Sequence, residues 1–306
     1  MLVVTAGNSY LDIDAYAGVV AYAELLRLQG KDAVAASTAP FNSSVTPMLK
    51  SLDTGLVQDY APSKQDSFIV IDLSEPDYFD SIVSLDRVVE VIDHHPGTLH
   101  HWQDHPGHVQ IERIGAACTI VVERWVQAGL LNRMSATSAK LLLAGILDNS
   151  LNLKAHITSD RDRNAAHTLQ NTLGDDGTFA SQYFSDCQNQ IEANLDRSLR
   201  DDFKSPSYPG YNGRLQTSQL AVWDASRLIS EHAEDIRQTM GSGDWYVNII
   251  SIQDGKSSFL TNGDAARQYL QIVTAATPQG SLLAAVRLWL RKEIMQAAIE
   301  RFGAHS

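Results

Sequence analysis

Cysteine is scarce: Cys118 and Cys187 are the only two in 306 residues. That excludes a disulfide framework and a four-cysteine zinc site, and a reducing cytoplasm is the simplest compartment. Long apolar runs are also missing. The longest, LLLAGIL and YVNIISI, have the length of core elements and fall short of the roughly 18 residues a membrane span needs. The N-terminus, MLVVTAGNSYLDID, lacks a basic region and turns acidic within fourteen residues, which argues against a signal peptide. Basic charge is the minority, 24 residues against 36 acidic, for a net of −12. No nucleic acid and no anionic membrane is therefore expected as the main partner. A small anionic substrate stays open, because a local metal cluster can reverse the local field. No internal repeat or low-complexity tract interrupts the chain.

What is present reads as globular: 44% hydrophobic and 20% charged residues, enough for one large domain or two smaller ones. LVVTA reads as a buried strand. AYAGVVAYAELLRLQG reads as a helix stopped by Gly30. FIVID (68–72) and VVEVID (88–93) are continuous apolar runs that each end in Asp. Such runs alternating with helices predict an α/β fold with a mainly parallel sheet covered by helices. IGAACTIVVERWVQAG and SATSAKLLLAGILDNS read as two further helices, and Ser159 with Asp162 as a capping box opening another. Residues 174–190 are polar and read as a surface segment or linker. A second apolar pattern, from RLQTSQLAVWD to SLLAAVRLWLRKEIMQAAIERF, predicts a smaller C-terminal α+β domain with a mixed sheet. The expected division is a catalytic domain over 1–187, a linker over 188–198 and a second domain over 199–306.

Acids fall at element ends: Asp12 and Asp14 past the first strand, Asp72 and Asp93 at the ends of two more, Asp148 at a helix end. His94 and His95 follow Asp93. In open α/β sheets ligands bind at the carboxyl ends of the strands. Carboxylates with a few imidazoles suit Mn²⁺, Mg²⁺ or Co²⁺ better than a structural zinc. Each piece alone has a plainer reading. D-x-D is common, Asp72 could cap a helix, and an Arg-Lys pair such as Arg291-Lys292 is usually a solvated face. The joint pattern is what points to a metal site. The stretch TLHHWQDHPGH, with His100, His101, His105 and His108, contains Pro and Gly. It reads as a surface loop rather than a second metal site, with Trp102 over the sheet edge. Cys118 reads as a small core residue.

With these residues in order, the sequence resembles the DHH phosphoesterase superfamily, in the branch with the second associated domain, DHHA2. That branch holds the manganese-dependent (family II) inorganic pyrophosphatases and the exopolyphosphatase/prune group. The motifs that carry the resemblance are AGNSYLDIDA, VIDLS, VIDHHPG and LLLAGILDNSLNLK followed by TSDRDRNAA, with IERIGAACT between the third and fourth. RDDFK, GRLQTSQLAVWD and Arg291-Lys292 resemble motifs of the second domain. The resemblance implies two divalent ions, Mn²⁺ or Co²⁺/Mg²⁺. Asp12 and Asp72 would bind the first. Asp14, Asp72, His94 and Asp148 would bind the second, with Asp72 bridging. Asp93 would hold the histidine and fix its tautomer. His95 would face the substrate phosphate or leaving oxygen. Lys204, Arg291 and Lys292 would grip phosphates from the second domain, placing the active site between the domains.

One departure bears on substrate. Family II pyrophosphatases have G-H where this chain has Gly7-Asn8, and the exopolyphosphatase/prune group has G-N. An amide oxygen is a weaker ligand than imidazole, so Asn8 is at most a weak metal ligand and Mg²⁺ becomes relatively more competitive. Leu73-Ser74 and Leu290 are lesser departures. The resemblance thus implies an exopolyphosphatase-type hydrolase acting on polyphosphate through water activated by two metals. An inorganic pyrophosphatase acting on pyrophosphate is the alternative. Two further readings are a phosphodiesterase on oligonucleotides or cyclic dinucleotides, whose G-G-G-H signature is missing here, and an inactive regulatory homologue. Relatives of this kind tend to pair through the N-terminal sheet edge, so a homodimer is an expectation by analogy.

Overall fold

The structure, a computed structural model, describes residues 1–303 except Pro96 and Thr98. It divides into two compact units, Met1–Tyr183 and Phe184–Ser306. In the first unit β1 (Leu2–Thr5) leads to α1 (Ile13–Leu28), β2 (Ala33–Ala35) and the single turn α2 (Pro47–Lys50). Then come β3 (Ser67–Ile71), β4 (Val88–Asp93) and β5 (His108–Ile111). The helices α3 (Ala117–Gln127), α4 (Ala136–Asn149), α5 (Asp160–Leu173) and α6 (Thr178–Ala193) follow.

The strands form one sheet in the order β2-β1-β3-β4-β5, with every pairing parallel. The chain leaves β1 toward one side and returns to its other side, so the strand order reverses between β1 and β3. The crevice above such a reversal is where α/β sheets bind ligands. Burial explains the apolar strands: Phe68, Val70 and Ile71 are wholly inaccessible. It also explains α1, which is buried without a break from Ile13 to Ala23 and packs against α3 and α4. A helix apolar on nearly every side belongs in an interior. Truncating a fully buried neighbour such as Leu142 to Ala would cost about 2–5 kcal/mol.

The second unit continues with α7 (Leu195–Asp201), β6 (Gln216–Val222), α8 (Ala225–Met240), β7 (Trp245–Ser251) and β8 (Lys256–Asn262). It ends with α9 (Asp264–Thr274), β9 (Thr277–Gln279), β10 (Leu282–Ala284) and α10 (Arg291–Phe302). Its sheet, β6-β7-β8-β10-β9, is mixed: β6 and β7 run parallel, the rest antiparallel. Strand β7, between β6 and β8, is buried throughout and feeds two cores by alternation. Tyr246 joins Phe259, Tyr269 and Ile294 on one face, while Trp245, Val247 and Ile249 join Leu228 and Ile236 on the other.

The two units meet at Tyr183/Phe184, inside α6. Residues 174–190 and the expected linker at 188–198 are largely helical, in α6 and α7. Phe179, Ala180, Tyr183 and Phe184 recur at helical spacing and are buried, which binds this otherwise polar segment to the core. The histidine loop begins at Thr98, outside the described residues, and then holds a short 3-10 helix, Leu99–Trp102, before β5 starts at His108. Trp102 is buried, donates from Nε1 to the Ser74 carbonyl at 2.8 Å and stacks on Phe79. Among the described residues no helix is long and apolar enough to cross a membrane.

Candidate metal centre

The acidic motifs meet at the carboxyl ends of β1, β3 and β4. A cavity of about 420 Å³ opens there, lined by Asn8, Asp12, Asp72, Ser74, Asp93 and His95 among others. Asp12 is the N-cap of α1, accepting from the Ala15 amide at 2.9 Å. Asp72 ends β3 at φ 64°, a left-handed conformation that aspartate tolerates better than most residues. Its own amide still donates to the Ile92 carbonyl at 2.7 Å, extending the β3–β4 ladder by one residue.

Asp14, on the first turn of α1, has no exposure. Its Oδ2 accepts from the Ala117 amide and its Oδ1 from the Cys118 amide, both at 2.8 Å. The α3 N-terminus has Ala116 at its N-cap position and no side chain of its own to satisfy those donors. Asp14 supplies the cap from another helix and brings negative charge to the positive end of α3. Asn149 adds a third donor, Nδ2 to Oδ2 at 2.6 Å. Close approach of α4 makes this geometry available. A Cβ on Gly145 would lie 2.7 Å from the Cys118 sulfur and 3.2 Å from the Asp14 Cα.

The two histidines differ in role. His94 is buried, and its Nδ1 lies 3.0 Å from the Ile114 carbonyl. A carbonyl only accepts, so Nδ1 carries a proton and Nε2 is the nitrogen turned toward the carboxylates. That Nε2 is 3.3 Å from Asp72 Oδ1 and 3.7 Å from Asp14 Oδ2. Both His94 Nε2 and Asp72 Oδ1 are buried atoms without a hydrogen-bond partner among the described residues. His95 is 62% exposed and holds its Nδ1 2.8 Å from Asp93 Oδ1. Asp93 therefore orients His95, while the carbonyl of Ile114 orients His94.

Electrostatics point the same way. Burial first, then the charges of Asp14 and Asp12, push the Asp72 carboxyl well above the usual range. Burial raises Asp12. Burial takes Asp148 to about 7, against the Tyr183 hydrogen bond and with the help of Asp12 and Asp14. Asp93 is different: burial would raise it, but hydrogen bonds led by that from His95 hold it below the normal value. The same bond raises His95. Several buried carboxylates that resist ionising together, beside an imidazole nitrogen turned toward them, form a set that a divalent cation would complete. Ligand atoms of Asp72, His94 and His95 all lie within 4.8 Å of one another. The donor set of carboxylate oxygen and imidazole nitrogen fits Mn²⁺.

Asn8 lines the cavity and is exposed. Its backbone N–H donates to the Tyr78 carbonyl at 2.9 Å, and its Oδ1 accepts from the Ser9 hydroxyl at 3.0 Å. Asp148 accepts from the Tyr183 hydroxyl at 2.9 Å. Ile114, Asn149 and Tyr183 were not singled out from sequence. Only Asn149, adjacent to Asp148, had a positional signal.

Lys204, Arg291 and Lys292 share a different cavity, of about 700 Å³, within the second unit, together with Gln219 and Leu290. Lys204 and Lys292 are exposed. The Arg291 guanidinium contacts the Asp202 carboxylate, and its backbone N–H donates to Gln219 Oε1 at 2.8 Å. The Arg291 fork is thus partly committed within its own unit, and its Nε is buried without a hydrogen-bond partner.

The first unit is a parallel α/β domain with a candidate divalent-cation site at its strand ends. Residues 2–146 match the family described as DHH family, N-terminal domain. The chain is similar to a "probable manganese-dependent inorganic pyrophosphatase" of Exiguobacterium sp., 25% identical over 235 residues, covering 76% of this chain and 74% of that protein. A protein of the same name from Bacillus licheniformis is 29% identical over 237 residues, 74% of this chain and 73% of its own. Among solved structures, a "putative family II inorganic pyrophosphatase" from Methanococcus jannaschii matches with a TM-score of 0.59 at 18% identity, covering 97% of this chain and 99% of that one. An exopolyphosphatase-related protein from Bacteroides fragilis matches with a TM-score of 0.53 at 14% identity, covering 98% and 91%. At these identities the two structures speak for the fold.

Proposed function

We propose that the chain is a manganese-dependent hydrolase of phosphoanhydrides, with polyphosphate as its leading substrate. The observation that carries this reading is the buried, unpartnered pair His94 Nε2 and Asp72 Oδ1, set among Asp12, Asp14 and Asp148. The manganese-dependent pyrophosphatases similar to this chain support both the metal and the bond class. Asp12, Asp14, Asp72, His94 and Asp148 would hold the ions. Bound there, divalent ions polarise phosphoryl oxygens and lower the pKa of water.

The chain's own residues do the rest. Asp93 holds the Nδ1 proton of His95, so His95 turns Nε2 outward on its exposed side. With its basicity raised by that bond, His95 is the group to protonate a departing phosphate. The cationic cavity of the second unit, with Lys204, Arg291 and Lys292, would bind phosphates, the exposed Lys292 and Lys204 as point charges.

Asn8 favours polyphosphate over pyrophosphate. It offers the first site an amide oxygen in place of imidazole, the feature separating the exopolyphosphatase-like sequence pattern from the pyrophosphatase one. The names of the similar proteins favour the second reading, an inorganic pyrophosphatase. Phosphate release from pyrophosphate, tripolyphosphate and long polyphosphate, measured side by side with Mn²⁺, Co²⁺ or Mg²⁺ and with EDTA, separates them. Faster release from tripolyphosphate or longer chains is expected. A clear preference for pyrophosphate would establish the second reading, and no release from any of the three would overturn both.

A further inference from the structure

The segment TSDRDRNAA has no part in the site described so far, yet it carries a carboxylate with no exposure, Asp162. Its oxygens receive four hydrogen bonds: from the Gly115 amide at 3.1 Å, the Thr119 hydroxyl at 2.6 Å, and the Ser159 amide and hydroxyl, each at 2.7 Å. No basic side chain is among these partners. A carboxylate removed from water without a cation is costly unless fixed donors satisfy it, so these four donors and Asp162 hold one another in place.

What Asp162 grips is the stretch 112–119. A Cβ on Gly115 would lie 2.7 Å from Asp162 Oδ2, so the turn is pressed directly onto the carboxylate. The neighbouring carbonyl, Ile114, is the partner of His94 Nδ1. The next amides, Ala117 and Cys118, hold Asp14. Thr119, in the first turn of α3, donates to the other oxygen of the same carboxylate. Arg161 adds a second grip, donating from Nε to Glu123 Oε1 at 2.7 Å and from Nη1 to Glu112. The N-terminus of α5 therefore clasps both ends of a segment that orients one cluster residue by a carbonyl and another by two amides.

We propose that Asp162 is a positioning residue for metal binding: through Gly115 and Thr119 it sets the Ile114 carbonyl and the Ala117–Cys118 amides, and so holds His94 and Asp14 ready for the ion. The inference rests on the reading that His94 and Asp14 are metal ligands. Partners that orient ligands typically change metal affinity 10–100-fold when altered.

The test is calorimetric titration of Mn²⁺ into the EDTA-stripped full chain, for the wild type and for Thr119→Val, Thr119→Ser and Asp162→Asn. Thr119→Val keeps the shape and removes the hydroxyl; Thr119→Ser keeps the hydroxyl. Weakening of at least about 10-fold is expected for Thr119→Val and Asp162→Asn, with wild-type affinity retained by Thr119→Ser. A matching change in the visible spectrum of the Co²⁺-loaded protein is expected for Thr119→Val alone of the Thr119 pair. Wild-type Mn²⁺ affinity in folded Thr119→Val overturns the proposal, as does equal weakening by both Thr119 variants. If Asp162→Asn does not fold, the Thr119 pair decides. A wild-type chain that takes up no Mn²⁺ overturns instead the ligand reading beneath it.

Discussion

His94 Nε2 and Asp72 Oδ1 face each other 3.3 Å apart, both buried and neither with a hydrogen-bond partner among the described residues. The other ring nitrogen of His94, Nδ1, is engaged by the Ile114 carbonyl at 3.0 Å. A divalent cation between them would take both atoms as ligands. Replacing His94 by Ala or Asp72 by Asn is expected to weaken Mn²⁺ binding by at least about 100-fold, the upper end of what merely orienting partners cost. Equilibrium dialysis of the folded variants checks this.

The same crowding predicts a pH dependence of the metal-free protein. Asp148 has a folded-state pKa of about 7 against an ordinary value of 3.8, raised chiefly by burial, and Asp72 is raised as well. Between those values the folded state binds more protons than the unfolded state, so stability falls as pH rises. With EDTA present, Tm should be higher near pH 5 than near pH 7.5 as far as these groups decide it. Saturating Mn²⁺ should remove that slope and raise Tm. At 100 times Kd, the added stability is about 2.7 kcal/mol. Thermal melts with and without Mn²⁺ at the two pH values are the measurement, and a slope unaffected by metal would contradict the assignment.

Tyr183 reaches Asp148 from α6, outside the residues matched to the DHH domain. Tyr183→Phe keeps the ring in the core and removes the donor. A stability loss of about 1 kcal/mol and a roughly 10-fold loss of Mn²⁺ affinity are expected. Denaturant unfolding and metal titration read the two effects separately.

The cationic cavity predicts a different signature. Lys292→Ala and Lys204→Ala should raise KM for tripolyphosphate roughly 10-fold or more, the value of one hydrogen bond between charged groups. Mn²⁺ affinity should stay unchanged, because both residues lie in the second unit. Steady-state kinetics with a parallel Mn²⁺ titration would show whether substrate grip and metal binding separate in this way.

Asn8→His restores the imidazole of the pyrophosphatase pattern. It should raise Mn²⁺ affinity and shift activity toward pyrophosphate. No change in either would mean that Asn8, although it lines the cavity, does not face an ion.

The strands and their terminal acids were legible in the sequence because a parallel strand buried on both faces reads as an unbroken apolar run. An Asp closing FIVID or VVEVID stands out against it. The capping box at Ser159 and Asp162 was legible for a similar local reason, and the structure has it complete. What holds the site together was not. The groups that fix His94 and Asp14 are the Ile114 carbonyl and the Ala117 and Cys118 amides, and backbone groups leave no trace in residue type. Asp162 was visible as a cap, but its grip on Gly115 spans 47 residues of chain. Helix α6 was read as a polar connection because its buried residues are few. Their spacing, Phe179 to Tyr183, was the signal that marked one face as core.

The most direct test strips the protein with EDTA, then restores Mn²⁺ stepwise while following phosphate release from tripolyphosphate, in the wild type and in Asp72→Asn. The expected result is a wild-type enzyme silent without metal and restored by Mn²⁺, and a folded variant that stays silent. Undiminished release from Asp72→Asn, or from the stripped wild type, would contradict the metal cluster as the seat of the chemistry.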